Sequence, residues 1–278
     1  MTSRATLTNN SMIRAAKRLL LDPRMALPTG LGLTTFLSIS NRRLCRVRYR
    51  DGFWEYRWRE GTMLHEYPAL SASAENPTGS YDFPNLFFWD YEPKRNDIVL
   101  DVGAGIGGEV FSLRIRVGPG GQVFAFEAHP TTFGKLSRLC ELNSWSNVEA
   151  IQAAVIDKSG RVSISDEDQH ETNSIFSRGK YEVDGIALDD FIMQRGITHI
   201  DYLKMNIEEA ERLAIRRMET VARTTDHVCI SCHDFLGTEW GRTSEEVRAW
   251  LASKSFRVLD RRDDPRSYAQ FYLYGSKS

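Results

Sequence analysis

Asp97-Ile-Val-Leu-Asp101-Val-Gly103-Ala-Gly105-Ile-Gly107-Gly108-Glu-Val-Phe is the stretch on which the fold turns. Ile98, Val99, Leu100 and Val102 form a short apolar run, the glycines follow, and a helix-like segment comes behind them, which reads as strand, tight loop, helix. Glycine lacks Cβ, so such a loop can take positive φ and let a ligand lie against main-chain N–H groups at the start of the helix.

Two ligand classes use a loop of this kind. Gly103, Gly105 and Gly108 match G-x-G-x-x-G, and Glu127 ends a second apolar strand, 123–126, about 20 residues on, as in a dinucleotide site. Asp101 favours the other class. A carboxylate two residues before the first glycine would face the pyrophosphate of a dinucleotide, and like charges that close repel. S-adenosylmethionine (SAM) carries no phosphate; its sulfonium and ammonium suit an acidic group beside the glycines. Glu127 serves either ligand by accepting hydrogen bonds from both ribose hydroxyls. An α/β core turn that binds no ligand is the remaining alternative.

With 278 residues, 41% of them apolar and 26% charged, the chain can form one large domain, or a domain and an extension, with an ample core. The net charge of −1 hides an asymmetry: residues 1–60 hold twelve Lys and Arg against four Asp and Glu, a net of +8, and the remainder carries −9. A basic N-terminal part on an acidic body points to an anionic surface or substrate, such as lipid headgroups, a charged glycan or nucleic acid; a solvated charged face is the alternative. Residues 12–21 place Ile13, Ala16 and Leu20 at helical spacing among Arg14, Lys17 and Arg18, the pattern of a short amphipathic helix. The uncharged run 25–41 contains Pro28, Gly30 and Gly32 and is shorter than the roughly 20 apolar residues of a spanning helix, so it is not read as transmembrane. Packing onto the body is favoured for it over an interfacial or partner-binding role. The long basic lead without a clean small-residue cleavage pattern is unlike a secretory signal. Four cysteines without a framework fit a reducing cytoplasm, with peripheral contact to the inner membrane face left open.

Residues 42–59 alternate basic with apolar or aromatic side chains and break at Asp51-Gly52, which predicts a β-hairpin with one basic face. Basic and aromatic interleaving also suits nucleic acid, but packing on a domain edge is favoured. Residues 71–80 read as a linker, dividing a basic extension, 1–75, from a main domain, 76–278. The ring-dense segment 81–91 either folds over a cofactor or belongs to the core.

Beyond Glu127 the chain alternates: a helix over 130–143, a third strand over 148–155, a polar excursion over 162–180, and a short helix over 188–194 stopped by Gly196. A fourth strand follows over 200–205, a helix over 208–221 with Ala210, Leu213, Met218 and Val221 inward, and a fifth strand over 227–232. A helix over 243–254 and two strands, 256–259 and 270–274, close the chain. The pattern predicts an α/β doubly wound, mostly parallel sheet, and a final strand pair without a helix between predicts an antiparallel edge.

Several pieces together resemble the FkbM family of SAM-dependent methyltransferases. They are Asp101-Val-Gly103-Ala-Gly105-Ile-Gly107, Phe124-Ala-Phe126-Glu127-Ala-His-Pro130, Leu142-Asn143, Ala153-Ala154, Leu188-Asp189-Asp190-Phe191 and Asp201-Tyr-Leu-Lys204-Met-Asn206-Ile-Glu208-Glu209-Ala210-Glu211. The resemblance implies a seven-stranded, Rossmann-like class I methyltransferase sheet, with SAM held by Asp101, Gly103, Ala104, Gly105, Glu127, Ala128, Ala154 and Asn206. It also implies a hydroxyl acceptor on a sugar, glycolipid or polyketide. The family usually reads Lys-Ile-Asp-Val-Glu-Gly-Ala-Glu after its fourth strand, whereas Asn206 stands here for the Asp and Glu209 for the Gly.

Methyl transfer from a sulfonium is an in-line displacement, aided by alignment and by exclusion of water. A hydroxyl acceptor must lose its proton, which favours a nearby base. Ligands of open α/β sheets sit outside the carboxyl ends of the strands, where Lys204, Asn206 and Glu208 follow strand four and His233-Asp234 follow strand five. The expected roles are His233 as base, Asp234 or Glu208 orienting it, and Lys204 stabilising developing negative charge. An ordinary hydrogen-bonded histidine is the alternative. Cys229-Ile-Ser-Cys232-His233 spells the c-type haem string, but residues three apart on a strand face opposite ways, so these cysteines read as ordinary buried thiols. His170, beside Asp168 and Glu171, reads as solvated, and no metal is expected. The expected activity is O-methylation of a carbohydrate hydroxyl on a glycolipid, polysaccharide or glycosylated metabolite. The alternatives are a small secondary metabolite as acceptor, a non-catalytic binding protein with this fold and, last, a nucleic-acid methyltransferase.

Overall fold

A computed structural model describes residues 23–79, 85–164, 180–238 and 241–277. The helix expected over 12–21, residues 81–84 of the ring-dense segment, and His170 with most of the polar excursion lie outside the described residues. The chain divides into two units, Met1–Phe83 and Pro84–Ser278.

In the first unit, alternation of arginine with apolar residues makes β1 (Arg46–Arg50) and β2 (Phe53–Arg57) an antiparallel pair turned at Asp51-Gly52, both at positive φ. A third strand that the sequence pattern did not announce, β3 (Thr62–His65), pairs with β2. Val47, Trp54, Tyr56 and Met63 are buried, while Arg46, Arg48 and Arg50 stand exposed along β1. The uncharged run forms a helix, α1 (Pro23–Ser40), despite its internal Pro28. α1 lies along the free edge of β1: the Val47 N–H donates to Thr34 Oγ1 at 2.8 Å, and the Cys45 N–H donates to Ser38 Oγ at 3.0 Å. Gly30 permits the approach, since a Cβ there would stand 3.0 Å from the Val47 carbonyl oxygen. Side-chain hydroxyls of a helix therefore satisfy edge groups that another strand would otherwise take. Among the described residues no helix is long and apolar enough to cross a membrane.

The second unit is the alternating α/β part. β4 (Ile98–Val102), α2 (Gly108–Val117), β5 (Gln122–Glu127), α3 (Pro130–Asn143) and β6 (Val148–Gln152) come first. Later come β10 (Ile200–Met205), β11 (Thr225–Ser231), β12 (Arg257–Asp260) and β13 (Tyr272–Ser276). They form one seven-stranded sheet in the order β12-β13-β11-β10-β4-β5-β6. Neighbours from β6 to β11 are parallel, and β13 runs antiparallel to both β11 and β12, the edge expected from the closing strand pair. The strand order reverses between β4 and β10, and it is outside the carboxyl ends at such a point that open α/β sheets bind their ligands.

The two faces of the sheet differ. Leu100, Val102, Leu203, Met205, Val228 and Ile230 turn to an apolar core completed by α4 (Leu188–Arg195), α5 (Glu211–Ala214), α6 (Glu219–Thr224) and α7 (Ser244–Ser253). Asp101, Lys204, Cys229 and Tyr274 pair across neighbouring strands on the other face. Residues 85–91 cover that face with rings: Trp89 packs on Tyr274, Tyr91 stacks on His227, and the hydroxyls of Tyr202 and Tyr274 donate to the carbonyls of Phe87 and Leu86. Leu86 and Phe87 of the ring-dense segment are thus core, whereas Trp89 keeps 46% of its surface exposed. Burial pushes the Cys229 thiol up to about 12 and Cys232 well above its ordinary value, as inert thiols require.

Two expected elements are corrected. The strand expected over 148–155 ends at Gln152, and β7 (Ala154–Val155) leaves for a small sheet with β8 (Gly160–Ile164) and β9 (Tyr181–Ile186), in the order β7-β9-β8. Gly185 makes that packing possible, because a Cβ there would stand 2.5 Å from the Ile156 side chain. The single helix expected over 208–221 is broken into α5, a 3₁₀ turn at Ile215–Arg217, and α6. Glu208 and Glu209 have φ of 45° and 74°, which no right-handed helix accommodates. Asp189 of α4 then starts α6 afresh, accepting the N–H groups of Glu219 at 2.9 Å and Val221 at 2.8 Å.

Candidate active site

The glycine loop after β4 is held from two sides. Gly103 and Ala104 both donate their N–H to the Phe126 carbonyl, at 2.9 and 2.8 Å, which ties the loop to β5. Gly103 (φ 79°) must be glycine, since a Cβ there would stand 1.8 Å from the Asn206 carbonyl oxygen. Gly105 (φ 56°) is the opposite case: nothing lies within 4 Å of where its Cβ would be, so the main chain there faces open space. Glu127 orders that part of the loop, accepting the Gly105 N–H at 2.9 Å on one oxygen and the His129 N–H at 2.8 Å on the other. Burial pushes the Glu127 carboxyl up, against the opposing pull of those two N–H groups.

Beneath the loop, adjacent strands bring Asp101 and Lys204 together. The Lys204 Nζ is 2.9 Å from Asp101 Oδ1 and donates to the Gly103 carbonyl at 2.7 Å, with the Phe87 ring 5.0 Å away. Both side chains are sealed, at 2% and 0% exposure. Burial alone would lower the Lys204 pKa, but the Asp101 carboxylate outweighs it and the net shift is upward. The other Asp101 oxygen, Oδ2, is buried without a hydrogen-bond donor.

A second charged group lies at the carboxyl ends of β10 and β11. His233 Nδ1 is 2.8 Å from Glu211 Oε1, and its Nε2 is 3.3 Å from Glu208 Oε2. Glu211 is fully buried, with Thr243 Oγ1 donating to its second oxygen at 3.4 Å, whereas Glu208 keeps 22% of its side chain exposed. Burial works against the His233 cation, but the bonds to Glu208 and Glu211 prevail and raise its pKa to about 10. At neutral pH the imidazole is therefore a cation held between two carboxylates.

The Methyltransferase FkbM domain model matches residues 101–258, more than half of the 278 residues. The chain belongs to the FkbM methyltransferase family. No curated protein matches it by sequence. Among solved structures it is similar to the methyltransferase FkbM of Methylobacillus flagellatus KT, at 18% identity and a TM-score of 0.49 over 69% of this chain and 47% of that one. It thus spans about half the length of the Methylobacillus protein. A SAM-dependent methyltransferase from Aquifex aeolicus is similar at 16% identity and a TM-score of 0.42, over 71% of this chain and 92% of that one. Aeropyrum pernix fibrillarin, solved with natively bound SAM, is similar at 11% identity and a TM-score of 0.44, over 82% and 96%.

FkbM methyltransferases take SAM as methyl donor, and the residues of this loop fit it. The open main chain at Gly105 leaves room for a nucleoside, and Glu127 has lone pairs left for ribose hydroxyls, whereas Asp101, sealed against Lys204, would support the loop from beneath rather than touch the cofactor. Asn206 forms the floor beside Gly103 through its backbone, and its N–H donates to the Val102 carbonyl at 2.9 Å. Ala128 and Ala154 stand further on, packed with Ile164 and Val183 of the small sheet.

Around His233 the placements differ from those expected. Asp234 does not orient His233: its carboxylate accepts the N–H groups of Thr243 at 3.2 Å and Ser244 at 3.0 Å and caps α7. Glu211, to which the sequence reading gave no role, takes that place. Lys204 is turned inward to Asp101 and Gly103, and its sealed ammonium holds the loop. The group of His199, Asp201 and Asp226, close enough in space for a metal, lies at the amino ends of β10 and β11, away from this site.

Proposed function

We propose that this FkbM methyltransferase transfers the methyl group to a hydroxyl, of a sugar in a glycolipid, polysaccharide or glycosylated metabolite, and that Glu208 receives the acceptor's proton. The bound cofactor supplies an electrophilic methyl on a sulfonium. The observation that carries the reading is the Glu208–His233–Glu211 group: one cation between two carboxylates, with Glu208 the exposed member. A sugar hydroxyl needs hydrogen-bond acceptors to orient it and a base within reach as it loses its proton, and the part-exposed Glu208 carboxylate offers both. Protonation of Glu208 leaves His233 still matched by Glu211, so the proton can arrive without stranding a buried charge. His233 thereby acts as a positioning residue that fixes the Glu208 carboxylate. Asn206 offers a neutral amide where the family usually has a carboxylate, which keeps further negative charge away from Glu208.

The test is to follow methyl transfer from labelled SAM to a panel of glycans and glycolipids with the parent chain and Glu208→Gln. SAM affinity by calorimetry is expected to stay within about twofold and turnover to fall by about 10²-fold or more, the range of a lost general base. Equal turnover in Glu208→Gln would remove Glu208 from the reaction. Transfer to small aglycones but to no glycan would overturn the carbohydrate assignment.

A further inference from the structure

Helix α1 has two apolar faces, and the first unit uses one of them. Leu33 and Leu37 are buried and Thr34 and Ser38 close the edge of β1, whereas Leu27, Leu31 and Ile39 are 73%, 61% and 73% exposed. Phe36 and, just past the helix, Leu44 are exposed as well. A surface helix of a globular protein ordinarily sets charged residues opposite its buried stripe. Residues 25–41 contain no Asp, Glu, Lys or Arg at all. The charge comes immediately afterwards: residues 42–60 hold seven arginines against three acids, and Arg46, Arg48 and Arg50 are exposed along the very strand that α1 lies against.

We propose that this face of α1 docks on an anionic lipid bilayer, with the leucine, isoleucine and phenylalanine side chains entering the acyl boundary and the β1 arginines meeting lipid phosphates. An apolar helix face bordered by arginine is the arrangement that binds such a surface in the interfacial plane, without spanning it. Nucleic acid suits the arginines but not the rest. Of the hairpin rings Trp54, Tyr56 and Trp58 are buried and Tyr49 and Phe53 half-buried, which leaves little open stacking surface, and the exposed row on α1 is mainly aliphatic. A second copy of the chain suits the apolar row but would bring arginine against arginine. Only a bilayer with anionic headgroups satisfies both rows. The inference concerns the first unit alone and holds whatever the methyl acceptor is.

Full-length protein cosedimented with vesicles of phosphatidylcholine, and of phosphatidylcholine mixed with phosphatidylglycerol, tests it. Binding is expected on the mixed vesicles, weaker on phosphatidylcholine alone, and declining as salt rises from about 0.1 to about 0.5 M. Leu31→Glu/Ile39→Glu is expected to lower the partition coefficient at least about tenfold. Arg46→Gln/Arg48→Gln is expected to weaken binding at low salt and to flatten the salt dependence. Both variants change exposed side chains, and unaltered circular dichroism and SAM affinity establish that they fold; Leu31→Ser alone gives the same sign at smaller size. Failure of the parent to bind mixed vesicles, or equal binding by the glutamate variant, overturns the proposal. So does a dimer in light scattering that the glutamate variant converts to monomer, which assigns the face to a second copy.

Discussion

Two buried charge groups stand at the carboxyl end of β10, and they are built to different rules. Asp101 and Lys204 match one anion with one cation, both sealed from solvent, and the cation also holds a backbone carbonyl of the glycine loop. Glu208, His233 and Glu211 set one cation between two anions and leave one anion in reach of solvent. A closed, balanced pair resists any change in protonation, because losing either charge leaves the other buried and uncompensated. The open group has an anion to spare. The first is suited to fixing the shape of the cofactor loop and the second to exchanging a proton with an acceptor.

The largest effect is expected from breaking the closed pair. Lys204→Met leaves the Asp101 carboxylate buried without its cation and frees the Gly103 carbonyl, at a cost of about 3–5 kcal/mol in urea unfolding. Lys204→Met/Asp101→Asn is expected to recover a large part of that loss, since no uncompensated charge remains. A single-variant cost below about 1 kcal/mol would show that the pair does not hold the loop. In the open group, Glu211→Gln is expected to cost less, about 1–3 kcal/mol, and to bring the His233 pKa down from about 10, as read by the NMR titration of its ring protons. The pH dependence follows from the direction of the shift. His233 titrates near 6.5 when unfolded and near 10 when folded, so its stabilising contribution is complete below pH 6.5 and is lost as pH climbs through about 10. The stability gap between the parent and His233→Gln should therefore narrow between pH 7 and pH 10, and a constant gap would show that His233 is not held as a cation.

The same comparison marks what could be read in the sequence. The glycine spacing, Asp101 and the strand-end positions of Lys204 and His233 were legible, because they follow from local pattern and from where open α/β sheets bind ligands. That Lys204 faces Asp101 was not, because it depends on β10 lying beside β4, a fact of strand order rather than of periodicity. Glu211 was hidden by the helical reading of 208–221, which set the inward face at Ala210 and Leu213. Its actual orientation comes from the two left-handed residues before it, and the one local sign of them was Glu209 in the place where the family usually has glycine. The small β7-β9-β8 sheet escaped for a similar reason, its pairing being set by the close packing at Gly185. The mixed character of the N-terminal part was legible as composition, but the division of α1 into a used and an unused apolar face needed the position of β1.

Glu209 provides the smallest and most discriminating measurement, because it lies in the segment that joins Lys204 to Glu211. At φ 74° its Cβ is strained, by about 1–2 kcal/mol for a left-handed L-residue, and its carboxylate accepts a hydrogen bond from Thr238 in the loop after β11. Glu209→Ala keeps the strain and loses the bond; Glu209→Gly loses both. If the carboxylate is retained to hold the acceptor-side loop against that strain, the alanine variant should be less stable than the parent by about 0.5–1.5 kcal/mol, the net worth of a hydrogen bond. The glycine variant should recover about 1 kcal/mol relative to alanine, somewhat offset by the greater freedom of its unfolded chain. Both should retain SAM affinity and show a raised KM for the acceptor, since the loop they release borders Glu208 and His233 rather than the glycine cradle. An acceptor KM unchanged in both variants would confine Glu209 to backbone shape and detach the loop after β11 from acceptor binding.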